Sequence, residues 1–234
     1  MNVEIPDENS IREKATEMSQ GNIYLKNALI SLWRAKIAVL DCDKGNIEND
    51  IYPNISLLVN ENSAVLVKRI YDLIFNLFND NAQVNFLNYK EKDATSYIMN
   101  VSVKYSYANA LFALFITYFS NNRIIENNRI YLPLNNDEKI EIQENEIVSY
   151  IMQLIVFCSR ARKNVGVSVS NKKMILKISD DNEKYNDRYN LSECLEEIKN
   201  SKTMEYGIYE CDNDSIRKLV EIMQENSKGH QKRK

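Results

Sequence analysis

Two adjacent carboxylates, Asp180 and Asp181, follow a run of alternating apolar residues that reads as a strand. The end of a strand is where paired acids hold a divalent metal or share acid and base work. No His, Glu or second carboxylate cluster is spaced to join them, so the pair reads first as loop acidity. Tyr185 to Tyr189, with Arg188 among them, has residue types that stack on a base or hold an anion, yet no basic patch surrounds it. Ser159, Arg160, Arg162 and Lys163 give a cationic end to a helix, where positive charge complements the macrodipole. Cys42, Cys158, Cys194 and Cys211 are widely spaced, with no C-x-x-C and no His partner. They read as buried thiols in a reducing compartment, not as zinc ligands or a redox pair.

The residue counts exclude more. The chain of 234 residues has one His, His230, in a basic tail, and five Gly scattered through it. Ser/His/Asp triads, multi-His metal sites and glycine-rich phosphate cradles need what is missing here. With 30 Lys+Arg against 33 Asp+Glu the net charge is -3, which gives no general attraction for nucleic acid. Only Lys228 to Lys234 is strongly basic. The longest apolar runs, such as Ala110 to Ile116, are too short for a membrane span. The expectation is a cytoplasmic protein with no cofactor, no nucleic-acid partner and no membrane partner.

Periodicity gives the elements that must carry these residues. A helix is expected from about Ile11 or Asn22 to Cys42, with Ile30, Trp33, Ile37 and Leu40 along one face. The segment Asp41 to Pro53, containing Asp43, Lys44, Gly45 and Asn46, is a turn. A second helix is expected from about Asn54 to Asn79. Val59, Ser63, Leu66, Ile70, Leu73 and Leu77 form its bundle-like seam, and Val65, Val67, Ile74, Phe75 and Phe78 are apolar off the seam. Such a helix needs cover on more than one side, from its own chain or from a second copy. Beyond residue 83 the pattern predicts strands at Gln83 to Lys90 and Tyr97 to Lys104 and an apolar helix at Ala108 to Phe119. Short strands follow at Arg129 to Leu134 and Lys139 to Ile142, then a helix at Gln143 to Lys163. A hairpin is expected over Val165 to Ile178, and helices at Leu191 to Asn200 and Asp212 to Gln224, with Asp212 or Asp214 as a cap.

The second half resembles the ATP-binding domain of histidine kinases in degenerate form. The residues that carry the likeness are Gln153 to Cys158 on a helix, Ile178 to Asn182 at a strand end, Tyr206, Gly207, Ile208 and Tyr209, and a final helix with Ile216 to Ile222. Phe157 stands where that family has a metal-binding Asn, Asn182 where it has a glycine, and only Gly207 survives of its glycine-rich lid. ATP binding is therefore not expected. With a helical hairpin in front, the layout is similar to the ChpT-type histidine phosphotransferases. That resemblance implies a homodimer built by a four-helix bundle and docking of a response-regulator receiver domain. Residues 11–42 contain neither the phospho-accepting His nor the Pro of that family, so no catalytic residue carries over.

These readings give an α+β chain: a helical hairpin dimerisation domain over 1–82, an ATPase-like α/β sandwich over 83–227 and a basic tail over 228–234. Trp33, Ile37, Leu66, Ile70, Leu73 and Leu77 are the dimer-interface candidates. The expected function is a catalytically inactive, receiver-binding relative of a phosphotransferase. The alternatives are an adaptor protein unrelated to phosphorelay, or a metal-dependent enzyme using Asp180 and Asp181.

Overall fold

The computed structural model describes residues 5–89, 96–119, 124–126, 129–133, 139–142, 146–160, 163–170, 173–180, 195, 198, 202–205 and 208–231. They fall into two compact units that interleave in sequence, Met1–Val84 with Met99–Asn145, and Asn85–Ile98 with Glu146–Lys234. The sequence reading divides the chain into consecutive segments instead, at 82/83 and at 227/228.

In the first unit, α1 (Ile11–Met18) and α2 (Ile23–Arg34) are short, and the expected continuation to Cys42 is absent. Asn22 caps α2 by accepting from the Leu25 N–H at 3.0 Å. The helix ends in a Schellman arrangement. Ile37 N–H donates to Leu32 C=O at 3.0 Å and Lys36 N–H to Trp33 C=O at 2.9 Å, with Lys36 at φ +62°. The chain then reverses into β1 (Ala38–Asp43), which pairs antiparallel with β2 (Asn54–Val59).

β2 occupies the start of the expected second helix. Ile55, Leu57 and Val59 are buried and alternate with less buried Asn54, Ser56 and Leu58, the period of a strand with one face on a core. The helix α3 (Glu61–Phe78) begins only after Asn60. Asn60 and Ser63 cap it reciprocally: Asn60 Oδ1 accepts from Ser63 N–H at 3.2 Å, and Ser63 Oγ accepts from Asn60 N–H at 3.0 Å. Ser63, a seam position in the sequence reading, is thus a buried cap. The remaining elements are β3 (Ala82–Asn88), β4 (Tyr97–Val103), α4 (Ala108–Phe119), β5 (Ile124–Glu126), β6 (Arg129–Pro133) and β7 (Lys139–Ile142). β3 and β4 contribute residues to both units. The strand order in the first unit is β1-β2-β4-β3, with β5-β6-β7 as a separate antiparallel sheet. Leu25, Leu29 and Leu32 of α2, Val67, Ile70 and Ile74 of α3, and Leu111, Phe112 and Phe115 of α4 are fully buried.

The helical hairpin and its dimeric four-helix bundle are therefore corrected. Residues 11–78 hold three helices and two strands, and α2 packs on α4, α1 and β1 instead of pairing with a long second helix. The residues read as a bundle seam are largely covered by their own chain. Ile37, Ile70 and Leu73 have no exposed area and Trp33 is 2% exposed.

The second unit adds α5 (Glu146–Arg160), β8 (Lys163–Ser170), β9 (Lys173–Asp180), β10 (Lys202–Glu205), β11 (Ile208–Cys211) and α6 (Asn213–Gln231). Its strand order is β3-β8-β9-β11-β10, with β8/β9, β9/β11 and β10/β11 antiparallel. Val165, Val167 and Val169 face the same core as Met174, Leu176 and Ile178. Asp212 caps α6 by accepting from Ser215 N–H and Oγ, each at 2.7 Å. Gln153 of α5 and Gln224 of α6 are bonded at 2.6 Å. The kinase-like sandwich is corrected here too. Lys202–Glu205 and Ile208–Cys211, which flank the position of that family's phosphate lid, are paired strands of the sheet; Tyr206 and Gly207 lie outside the described residues. The helix expected over 191–200 lies outside them as well, save Leu195 and Ile198, which are buried. Among the described residues no helix is long and apolar enough to cross a membrane.

Candidate interaction surface

Of the turn expected over Asp41 to Pro53, residues 41–43 are the end of β1 and residues 44–53 are the loop between β1 and β2, which is heavily braced. Asp43 Oδ1 accepts from Gly45 N–H at 2.7 Å, and Gly45 sits at φ +87°. A Cβ there would meet the Pro53 ring at 2.6 Å, so both the backbone angle and the space require glycine. Asn46 and Ile51 close a small antiparallel bridge, with Asn46 N–H donating at 2.8 Å and Ile51 N–H at 2.9 Å to each other's carbonyls. Inside it, Asn46 Oδ1 accepts from Glu48 N–H at 2.9 Å and Asn49 N–H at 3.3 Å, capping a single tight turn over Ile47–Asn49. Asp50 closes that turn in the left-handed region at φ +53°.

The first unit also grips the loop from below. Tyr105 Oη donates to the Asn46 carbonyl at 2.9 Å, and the Tyr105 ring stacks on Tyr52 at 5.3 Å between centroids. Val103 N–H donates to Pro53 C=O at 3.1 Å. Partial desolvation, followed by the nearby Asp50, Tyr52 and Asp43, raises the Tyr105 phenol above its usual range, so it remains the donor in this contact.

What this bracing displays is apolar. Ile47 is 75% exposed, Tyr52 48% and Ile51 40%. Single exposed apolar side chains are ordinary. Three of them on one loop whose backbone is pinned at Gly45, Asn46 and Pro53 are a preformed patch. Covering one such isoleucine gains about 1.5–3 kcal/mol, and a pinned loop loses little further entropy when it is covered. The rim is acidic: Asp41, Glu48 and Asp50 are exposed and Asp43 half-buried. Lys44, the cation within the loop's own sequence, donates its ammonium to the Gln20 carbonyl at 2.9 Å.

The sites read from sequence lie elsewhere. Asp180 is the last residue of β9, paired in register with Lys163; its side chain and the whole of Asp181 lie outside the described residues, as does Tyr185 to Tyr189. Lys163, expected on a cationic helix end, is the first residue of β8 and is 7% exposed. Ser159 and Arg160 end α5, with side chains outside the described residues, and Arg162 is outside them altogether. His230 lies within α6, which runs on to Gln231, beyond the expected end at Gln224; its side chain is not among those described. Of the dimer-interface candidates, Trp33, Ile37, Ile70 and Leu73 are buried within the chain, Leu77 is half-buried, and the Leu66 side chain lies outside the described residues.

Cys42, Cys158 and Cys211 are buried and form no disulfide. Burial, with Asp41 and Asp43 beside it, pushes the Cys42 thiol up to about 12, and burial with Asp212 and Glu210 pushes Cys211 up to about 12. Neither thiol is a thiolate nucleophile near neutral pH. Among the described residues no three His, Cys, Asp or Glu side chains converge to hold a metal ion. Comparison with protein-family models, with curated proteins and with solved structures finds no match.

The signal that could have found the patch was in the turn itself. Ile47, Ile51 and Tyr52 are large apolar residues between turn formers, where a solvated loop carries polar ones.

Proposed function

We propose that this chain is a protein-interaction module, an adaptor whose recognition surface is the loop between β1 and β2. The observation that supports it is a loop held by side-chain and backbone bonds at Gly45, Asn46, Ile51 and Pro53 that nonetheless keeps Ile47, Ile51 and Tyr52 in water. Order of this kind lowers the entropic cost of binding and does little for the core. The expectation of a receiver-domain partner rested on the helical hairpin and the kinase-like sandwich, and no side chain at the loop selects that partner. The metal-enzyme reading of Asp180 and Asp181 gains no geometry from the described residues.

The test is quantitative co-purification from the source cells with the wild type and with a variant carrying Ile47→Ser, Ile51→Ser and Tyr52→Ser. The expected result is at least one protein recovered with the wild type and reduced about tenfold with the variant. Identical recoveries, with the variant folded by circular dichroism, contradict the proposal.

A further inference from the structure

The loop continues from a sheet edge. β1 is the end strand of its sheet, and among the described residues its backbone bonds to no segment other than β2. Its outer edge carries donors and acceptors that no described strand takes, and it leaves burial behind at Asp41, which is exposed. Val39 faces Leu57 and Asp41 faces Ser56, so Leu40 is an extra, bulged residue. Past the bulge, Asp41, Cys42 and Asp43 run in regular register with Ser56, Ile55 and Asn54 and lead straight into the loop.

Alternation divides these three residues between two faces. Cys42 turns inward, its Sγ 3.8 Å from the Met18 carbonyl, while Asp41 and Asp43 share the opposite face. A strand laid along this edge meets two carboxylates two residues apart, and the chain beyond them carries Ile47, Ile51 and Tyr52. Glu48 and Asp50 extend the negative charge, and the ammonium of Lys44, within the loop, is bonded to Gln20. A second copy offering its own β1 would bring Asp41 and Asp43 against the same residues, and like charges across a strand pair repel. The charge selects a basic strand instead.

Resting on the interaction-module reading above, we propose that the β1 edge and its loop take an extended basic segment of a partner protein as an added strand. Lys or Arg at alternating positions faces Asp41 and Asp43, and an apolar residue of the same segment covers Ile47, Ile51 and Tyr52. Backbone bonds supply affinity in such strand addition, and the alternating side chains supply selectivity.

Fluorescence anisotropy with the full chain tests it, using three labelled heptapeptides: one alternating Lys and Val, the same peptide with its central Val replaced by Pro, and one alternating Glu and Val. Saturable binding of the Lys/Val peptide is expected, at least tenfold weaker for the other two. The same loss is expected on Asp41→Lys, with a smaller loss on Asp41→Asn, and on Ile47→Ser. Amides of residues 41–43 should also gain protection from hydrogen exchange in the complex. No binding of the Lys/Val peptide overturns the proposal. So does equal binding of the proline peptide, which would mark a diffuse charge effect, or indifference to both Asp41 substitutions. Self-association that Ile47→Ser abolishes would make a second copy the occupant and overturn it too. If the peptides fail while co-purification still depends on Ile47, Ile51 and Tyr52, the added-strand proposal falls and the interaction module stands. If that dependence is also missing, both fall.

Discussion

Gly45 and Ile47 stand two residues apart and should respond oppositely to mutation. Gly45→Ala forces a β-carbon into the left-handed region and against the Pro53 ring, and should cost about 1–3 kcal/mol in urea denaturation. Ile47→Ser removes a side chain that is already 75% in water, and should change stability by less than about 0.5 kcal/mol. A loop built for the fold would show the reverse ranking or none. Tyr97 gives a separate test in the second unit. It is fully buried, and its hydroxyl has no hydrogen-bond partner among the described residues. Burial raises the phenol well above its usual range, so it stays neutral. Tyr97→Phe discards an unmet polar group while keeping the ring beside Phe86, and should stabilise the protein by about 1 kcal/mol.

At the scale of elements, the ends of α2 and the start of α3 decide the fold. Lys36 holds a left-handed position that glycine usually fills, so Lys36→Gly should raise stability by about 1 kcal/mol in the same denaturation assay. That residue also explains why the end of α2 was not legible. The apolar spacing from Ile30 to Leu40 continues through it, and no glycine or proline announces the reversal. The strand β2 was legible in principle, since Ile55, Leu57 and Val59 alternate with Asn54 and Ser56. A heptad seam that began at Val59 absorbed it into the following helix. From β3 onward the reading was better. Strands and helices there have clean periods, and Asp212 caps α6 as its type predicts. The loop over residues 44–53 was also legible from Gly45 and Pro53, though Asp41 to Asp43, read as part of it, end β1. Its role was not, because exposure of Ile47 and Tyr52 follows from bonds made by Tyr105 and Asn46 across long stretches of chain.

For the whole molecule, four buried acids set the response to alkali. Cys42, Cys211, Tyr71 and Tyr97 all have folded pKa values raised chiefly by burial. In the pH range between its unfolded and folded pKa, each group holds more protons folded than unfolded, so stability falls as pH rises. The two thiols' contribution is fully present below their unperturbed value of 9.0 and is lost progressively from there toward about 12, and that of the two phenols is lost at higher pH. Thermal melting should show a falling midpoint through that window, and the two thiols should react slowly with a disulfide reagent at pH 8 until the chain unfolds. The central claim concerns the loop, and a photo-reactive amino acid placed at position 47 in the intact chain probes it most directly. The account predicts that irradiation in the source cells joins the chain to one defined partner protein, with a matching adduct from position 52 and none from Tyr24, an exposed aromatic elsewhere in the first unit. Adducts spread over abundant proteins, or the same pattern from all three positions, would contradict it.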